Sequence, residues 1–487
     1  MSEAPLSLAR ARAYEQEQSA LIASNDRPLF HLTPWVGWMN DPNGFCYYKG
    51  CYHLFYQYHP YSTAWGPMHW GHAVSHDLLR WTHLPCALAP DTAADAGGCF
   101  SGSAVPLPDG RLMLCYTGVQ ATGVQAQCAA FGDGTDFEKH RFNPIIDPGQ
   151  LPEGYSAQDF RDPKVWHSKS GPYYMVAANR QAERQGSILL FSSKDGLAWR
   201  FMGEIDSSRK EYGRMWECPD FFTLEDRHVL LVSPQEMRAR EEFHPGHGTV
   251  AILGRFDKQN YRLVRQSVQP ADHGLNFYAP QTVLSPDGRR IMIGWMDNWG
   301  TCKNAPRPHP WYGQMSAPRE LFIKGGRLMQ RPVREMEKLW LDTIIHDRIA
   351  VQGQTALPGI QGRLLDMTVT LYPEGARCRC FTLQIAQNSS YSTRILCDFA
   401  RNELTFDRSG SGSLRDIAHT RQVPAAARAG KLVLRLLMDK ESVELFINDG
   451  ERVLTALLPT PLTADGITFA ADAPLCLSVQ AHHLGEL

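Results

Sequence analysis

The 487-residue chain has no surplus of positive charge, no long apolar run and no Cys-x-x-Cys pair. Each absence removes a class of function. With a formal net charge of −2 and a pI near 6.8, neither nucleic acid nor an anionic membrane is an expected partner. No stretch approaches the apolar length that a membrane-spanning helix needs. The twelve cysteines fall at irregular spacings, without the pattern of a zinc site. The opening segment, MSEAPLSLARARAYEQEQSALIASN, lacks the apolar core and cleavage pattern of an export signal. It reads instead as a helix ending before Asn25-Asp26-Arg27-Pro28. Free buried thiols in a reducing cytosol are the expected state of the cysteines, and the cytosol is the expected compartment.

Helical periodicity is also scarce between residues 28 and 330. In its place stand short β-type runs separated by Gly, Pro, Asn and Asp, such as GCYHLFYQYHP (50–60), RLMLCYTG (111–118) and HVLLVSP (228–234). A small motif recurs before these runs. Its copies are Asp41-Pro42-Asn43-Gly44-Phe45, Ser101-Gly102-Ser103-Ala104-Val105, Asp162-Pro163-Lys164-Val165-Trp166, Glu217-Cys218-Pro219-Asp220-Phe221 and Tyr278-Ala279-Pro280-Gln281-Thr282. Copies at about 55–60 residue intervals predict five four-stranded blades around an axis, with a β-sandwich as the competing arrangement. In a propeller the first strand of each blade lines the central channel, so Asp41, Asp162 and Glu217 converge from distant positions.

The pattern changes near residue 331. Pro332 to Trp340 reads as a short helical linker, and the runs LLDMTVTLY (364–372), CFTLQIA (380–386), KLVLRLLMD (431–439) and SVELFIND (442–449) alternate with period two. The chain therefore divides into an N-terminal helical extension (1–27), a propeller (28–331), a linker helix (332–345) and a C-terminal β-sandwich (346–487). The fold class is all-β, and the second domain reads as structural rather than chemical.

Asp-Pro-Asn-Gly is by itself a favourable β-turn. What points to chemistry is that three of the five copies place a carboxylate at nearly the same point. Two carboxylates facing each other across a groove can cleave a glycosidic bond, one attacking and the other protonating the leaving oxygen. Trp38, Trp65, Trp70, Phe100, Trp216, Tyr278 and Trp295 lie in or beside the motifs and can pack against the C–H face of a sugar. About half of them are expected in the inter-blade core. His69, His72 and His76 lack the spacing of a metal cluster and read as structural or surface residues.

At this point the sequence resembles glycoside hydrolase family 32 over nearly its whole length. The motifs are WMNDPNG (38–44), FYQ (55–57), WG (65–66) with WGH (70–72), FSGSA (100–104), FRDPKVW (160–166), WECPDFF (216–222), FYAPQ (277–281) and GWM (294–296). The resemblance implies a five-bladed β-propeller followed by a β-sandwich. It implies that Asp41 attacks the anomeric carbon of a fructosyl unit, and that Glu217 protonates the departing oxygen and then activates water. Asp162 would bond fructose hydroxyls and stabilise the oxocarbenium-like transition state. Asn40, Gln57, Trp65, Phe100, Ser101, Arg161, Tyr278 and Trp295 would line the pocket. Asn276 stands where many relatives carry an acid, which bears on the leaving-group contacts. Glu217, enclosed beside Trp216, is expected to favour its protonated form, and Asp41 its ionised form. No metal or organic cofactor is required.

The implied activity is retaining β-fructofuranosidase action on sucrose or sucrose 6-phosphate, and the expected partner is a small-molecule sugar. A fructan exohydrolase or a fructosyltransferase would use the same residues, and a non-catalytic carbohydrate-binding protein could share the fold. For a phosphorylated substrate, Lys303-Asn304-Ala305-Pro306-Arg307 is the best local cationic candidate, its plainer reading being a solvated loop.

Overall fold

A computed structural model describes residues 6–168, 171–181, 185–303, 308–412 and 418–486. The helix near the N-terminus spans Leu8–Ser19, and Ser7 caps it by accepting from the Arg10 N–H at 3.3 Å. It docks on the first blade through Glu15, a buried carboxylate that accepts from the Cys86 N–H at 2.7 Å. All twelve cysteines are free and most are buried.

Five sheets form the blades of a propeller. Their inner strands are Gly37–Tyr48, Gly98–Pro106, Arg161–His167, Met215–Leu224 and Tyr278–Leu284, so each of the five sequence motifs opens one blade. Each inner strand breaks register at its motif. The breaks lie between Met39 and Pro42, Phe100 and Gly102, Arg161 and Lys164, Glu217 and Asp220, and Tyr278 and Gln281. Pro163, Pro219 and Pro280 sit inside three of these breaks, where a residue without an N–H costs no ladder bond, and Pro42 closes a fourth. Asp162, Cys218 and Ala279 each precede such a proline at positive φ, 61°, 49° and 52°. The bulge turns the motif side chains out of the regular alternation and toward the axis.

Side chains of the same motifs clasp neighbouring blades. Asn43 accepts from the Gly102 N–H at 3.1 Å, and Ser103 donates to the Pro163 carbonyl at 2.8 Å. Lys164 reaches Asp220 at 2.9 Å, Asp220 accepts from the Thr282 N–H, and Gln281 accepts from the Phe45 N–H at 3.2 Å. The ring is thus bonded blade to blade. It is also closed by strand pairing, since Trp311–Tyr312 runs parallel to Gly37–Trp38 of the first inner strand.

The helical turn after the propeller is Arg334–Leu339, and a strand begins at Ile344. The C-terminal strands form a ten-stranded, sandwich-like sheet around one apolar core, whose members include Leu365, Phe381, Leu434 and Leu445. A buried ionic cluster joins this sheet to the propeller. His31 meets Asp439 at 2.8 Å and Glu444 at 3.0 Å, while Arg319 spans Glu444 at 2.5 Å and Asp272 at 2.9 Å.

Candidate active site

Asp41, Asp162 and Glu217 come from the inner strands of the first, third and fourth blades. Asp41 and Asp162 share one hydrogen-bonded set, and Glu217 lies close enough for its charge to act on both. Ser101 donates its hydroxyl to Asp41 Oδ2 at 2.8 Å. Cys218 lies between the two aspartates, its thiol 3.4 Å from Asp41 Oδ2 and 3.5 Å from Asp162 Oδ2, and its N–H bonds Asp162 at 2.9 Å. Glu217 is held by three donors. Arg161 Nε reaches Oε1 at 3.1 Å, while the Tyr278 hydroxyl and the Gln235 amide each reach Oε2 at 2.7 Å. The immediate partners of Glu217 are thus polar donors. Asp41 Oδ1 is buried, with no hydrogen bond of good geometry among the described residues, although the Asn40 side chain lies close enough to favour the carboxylate.

The electrostatics follow from burial and mutual repulsion. Burial, followed by the charge of Glu217, pushes Asp41 up to about 6 against the opposing bonds from Asn40, Ser101 and Cys218. Asp162 is also raised, first by burial and then by Glu217 and Asp41, with the Arg161 guanidinium opposing. The Cys218 thiol is held well above its ordinary range by burial and by these three carboxylates, so it remains a neutral donor.

The other expected pocket residues divide into two groups. Asn40 is buried and accepts from the Trp38 indole at 2.7 Å, and Gln57 is buried and donates to the Cys99 carbonyl at 3.0 Å. Trp295 is fully buried, in edge contact with Trp38 and Trp299. Trp65, by contrast, is 50% exposed and meets the half-buried Phe100 edge-on at 6.3 Å. Trp70 and Trp216 are core, not cleft. The first donates to the Phe100 carbonyl and the second to the Tyr212 carbonyl, and both are sealed among blade side chains.

His72 is buried against His53 at 3.1 Å, His69 is buried on the Pro67 carbonyl, and His76 is exposed. Among the described residues no group of three or more His, Cys, Asp or Glu is arranged to hold a metal ion. Lys303 is exposed, and residues 304–307 of the cationic segment lie outside the described residues. Gln235 and Cys218 escaped the sequence reading. Gln235 ends the strand paired to Met215–Leu224, directly opposite Met215, so the hairpin register was the available signal. Cys218 sits inside the WECPDFF motif itself.

Such a constellation can supply an attacking carboxylate and a proton-carrying one close together. The model of the glycosyl hydrolases family 32 N-terminal domain matches residues 31–332, and that of the family's C-terminal domain matches residues 335–483. The chain belongs to glycoside hydrolase family 32. It is therefore a glycoside hydrolase. A sucrose-6-phosphate hydrolase of Escherichia coli is 37% identical, covering 91% of this chain and 93% of the relative. A raffinose invertase of Escherichia coli is 36% identical over 92% and 93%. Among solved structures, a variant of a Bombyx mori family 32 β-fructofuranosidase in complex with sucrose superposes with a TM-score of 0.83, at 32% identity over 98% of each chain. With these relatives the family 32 assignment extends over both domains.

Proposed function

We propose that this family 32 hydrolase is a retaining β-fructofuranosidase acting on sucrose, sucrose 6-phosphate or both. The observation that carries the reading is that Asp41, bonded by Ser101 and Cys218, lies close enough to Glu217 for the two charges to interact, while Glu217 is held by Arg161, Tyr278 and Gln235. Asp41 attacks the anomeric carbon of the fructosyl unit while Glu217 gives its proton to the glycosidic oxygen, and glucose or glucose 6-phosphate departs. Glu217 then takes a proton from water, the hydroxide oxygen bonds the same carbon, and the fructosyl–Asp41 ester breaks. Asp162 bonds fructose hydroxyls and shares the positive charge that develops on the ring. Asn40, Gln57, Ser101, Arg161, Tyr278 and Trp295 shape the fructosyl side, with Trp65 and Phe100 at the solvent side.

The names and bound sugar of the relatives support sucrose-type substrates. Residues 28–331 carry this chemistry in the proposal, and 346–487 brace it. A cytosolic location goes with a phosphorylated sugar as substrate. No described helix is long and apolar enough to cross a membrane. The test is product analysis of sucrose, sucrose 6-phosphate, raffinose and inulin digests by the purified protein. Absence of fructose release from all four sinks the reading. The ratio of kcat/KM for the two sucrose forms, with wild type and with Lys303→Ala/Arg307→Ala, decides between them.

A further inference from the structure

The C-terminal sheet reaches the active site through one buried arginine. Arg408, on the strand Glu403–Gly410, is 1% exposed, and among the described residues its guanidinium makes no direct bond to a carboxylate. A buried cation in that state is costly and persists where its surroundings fix it. Its Nη1 donates to the Asn276 side-chain oxygen at 2.7 Å and to the Leu457 carbonyl at 2.7 Å. Burial lowers it to about 10, and the carboxylate whose field opposes that effect is Asp297, one amide away.

Asn276 uses both ends of its amide. The oxygen accepts from Arg408 and from the Leu457 N–H at 3.1 Å, and the nitrogen donates to Asp297 Oδ1 at 2.9 Å. An ionised carboxylate at 276 could accept from Arg408 but would set two acids face to face. Asp297 passes the constraint on, since its other oxygen accepts from the Tyr312 hydroxyl. The Tyr312 ring lies flat on Trp38, with centroids 4.9 Å apart and planes within 16°. Tyr312 and Trp38 are also register partners, and a Cβ at the next residue, Gly313, would stand 2.2 Å from the Met39 carbonyl oxygen. The two segments are therefore in close backbone approach beside the stacked rings. Trp38 in turn donates to Asn40, the neighbour of Asp41.

We propose that Arg408 is a positioning residue of the active site, acting through Asn276 and Asp297 on Tyr312, the ring that backs Trp38. Each link is a directional bond or a stacked ring, so displacement at one end moves the other. The C-terminal sheet then sets the shape of the pocket wall besides covering the propeller. The proposal rests on Asp41 and Glu217 acting on a bound fructosyl unit.

The test uses Arg408→Gln, Arg408→Lys and Tyr312→Phe, with Arg435→Gln as the control. Arg435 makes a paired contact with Asp366 at 2.9 and 2.8 Å in the same sheet and touches none of the wall. Steady-state kinetics on sucrose, melting temperature and acrylamide quenching of tryptophan fluorescence are measured for each. Arg408→Gln is expected to raise KM about tenfold or more, Arg408→Lys to recover part of that, and Tyr312→Phe to raise KM about threefold near the wild-type melting temperature. Arg435→Gln is expected to lower the melting temperature with KM unchanged.

Wild-type KM and kcat in folded Arg408→Gln overturn the proposal, as does an equal KM shift in Arg435→Gln. If Arg408→Gln does not fold, Tyr312→Phe decides: a raised KM supports the proposal and wild-type kinetics end it. A wild type inactive on every β-fructofuranoside ends the functional reading instead. The positioning role is then decided by quenching, which must rise in Arg408→Gln and not in Arg435→Gln.

Discussion

Arg161 and Glu217 stand 3.1 Å apart, Nε to Oε1, although their strands belong to adjacent blades. The same guanidinium bonds Asp159 at 3.1 Å and Gln125 at 3.3 Å, so its position is fixed from three sides. It is the cation that opposes the rise of Asp162. Arg161→Gln is expected to push Asp162 higher still and to move the acid limb of the kcat/KM profile to higher pH. A pH–rate series on both proteins checks this, and an unmoved limb counts against it.

Asp41→Asn and Glu217→Gln are each expected to lower kcat by roughly 10²–10⁴-fold with the fold intact. Stopped assays with circular dichroism decide the point. Near-normal turnover in either variant removes that residue from the mechanism.

Asp41 also carries a stability cost. Its carboxyl rises from 3.8 to about 6 on folding, so the folded state binds the proton more tightly. This contribution is fully present below the unfolded value and is lost as pH rises through about 6. Asp41→Asn should therefore stabilise the protein at pH 7 by up to about 3 kcal/mol, and much less near pH 4. Urea melts at the two pH values measure it, and an equal effect at both contradicts the account.

The junction of the two domains loses stability in the same direction, as pH rises, but over a higher window. Burial alone would lower His31, but the hydrogen bonds it donates to Asp439 and Glu444, with their charges, outweigh it and raise the imidazole from 6.5 to about 9. The stabilisation is fully present below 6.5 and lost as pH rises through about 9. Thermal melts between pH 6 and 10 should fall in the wild type more steeply than in His31→Gln. Parallel curves would rule the cluster out as the cause.

Retention of configuration is expected, because attack by Asp41 and then by water inverts the carbon twice. This requires the two carboxyl groups to be about 5–5.5 Å apart. NMR of the first turnovers should show β-fructose before mutarotation, and α-fructose as the first product would exclude the ester intermediate.

Much of the fold was legible because its signals are local. Five motifs with a proline or glycine beside a polar residue marked five inner strands, and period-two alternation marked the C-terminal strands. The aromatic residues were less legible. Trp70 and Trp216 look like cleft residues in sequence, yet the blades enclose them, since a large ring satisfies a core as well as a sugar face. Asn276 read as a leaving-group position and proved to be a buried bridge to the second domain. Nothing near residue 276 announces Arg408, which lies 132 positions away.

The sequence alone determined the strand starts and the candidacy of Asp41, Asp162 and Glu217. Those depend on backbone preferences and motif chemistry within a few residues. Only the tertiary structure decided which donors hold Glu217, that Cys218 sits between the aspartates, and that His31 and Arg408 tie the second domain to the first. These contacts join residues dozens to hundreds of positions apart. They exist because blade closure and domain packing bring buried polar groups together, where each must find a partner.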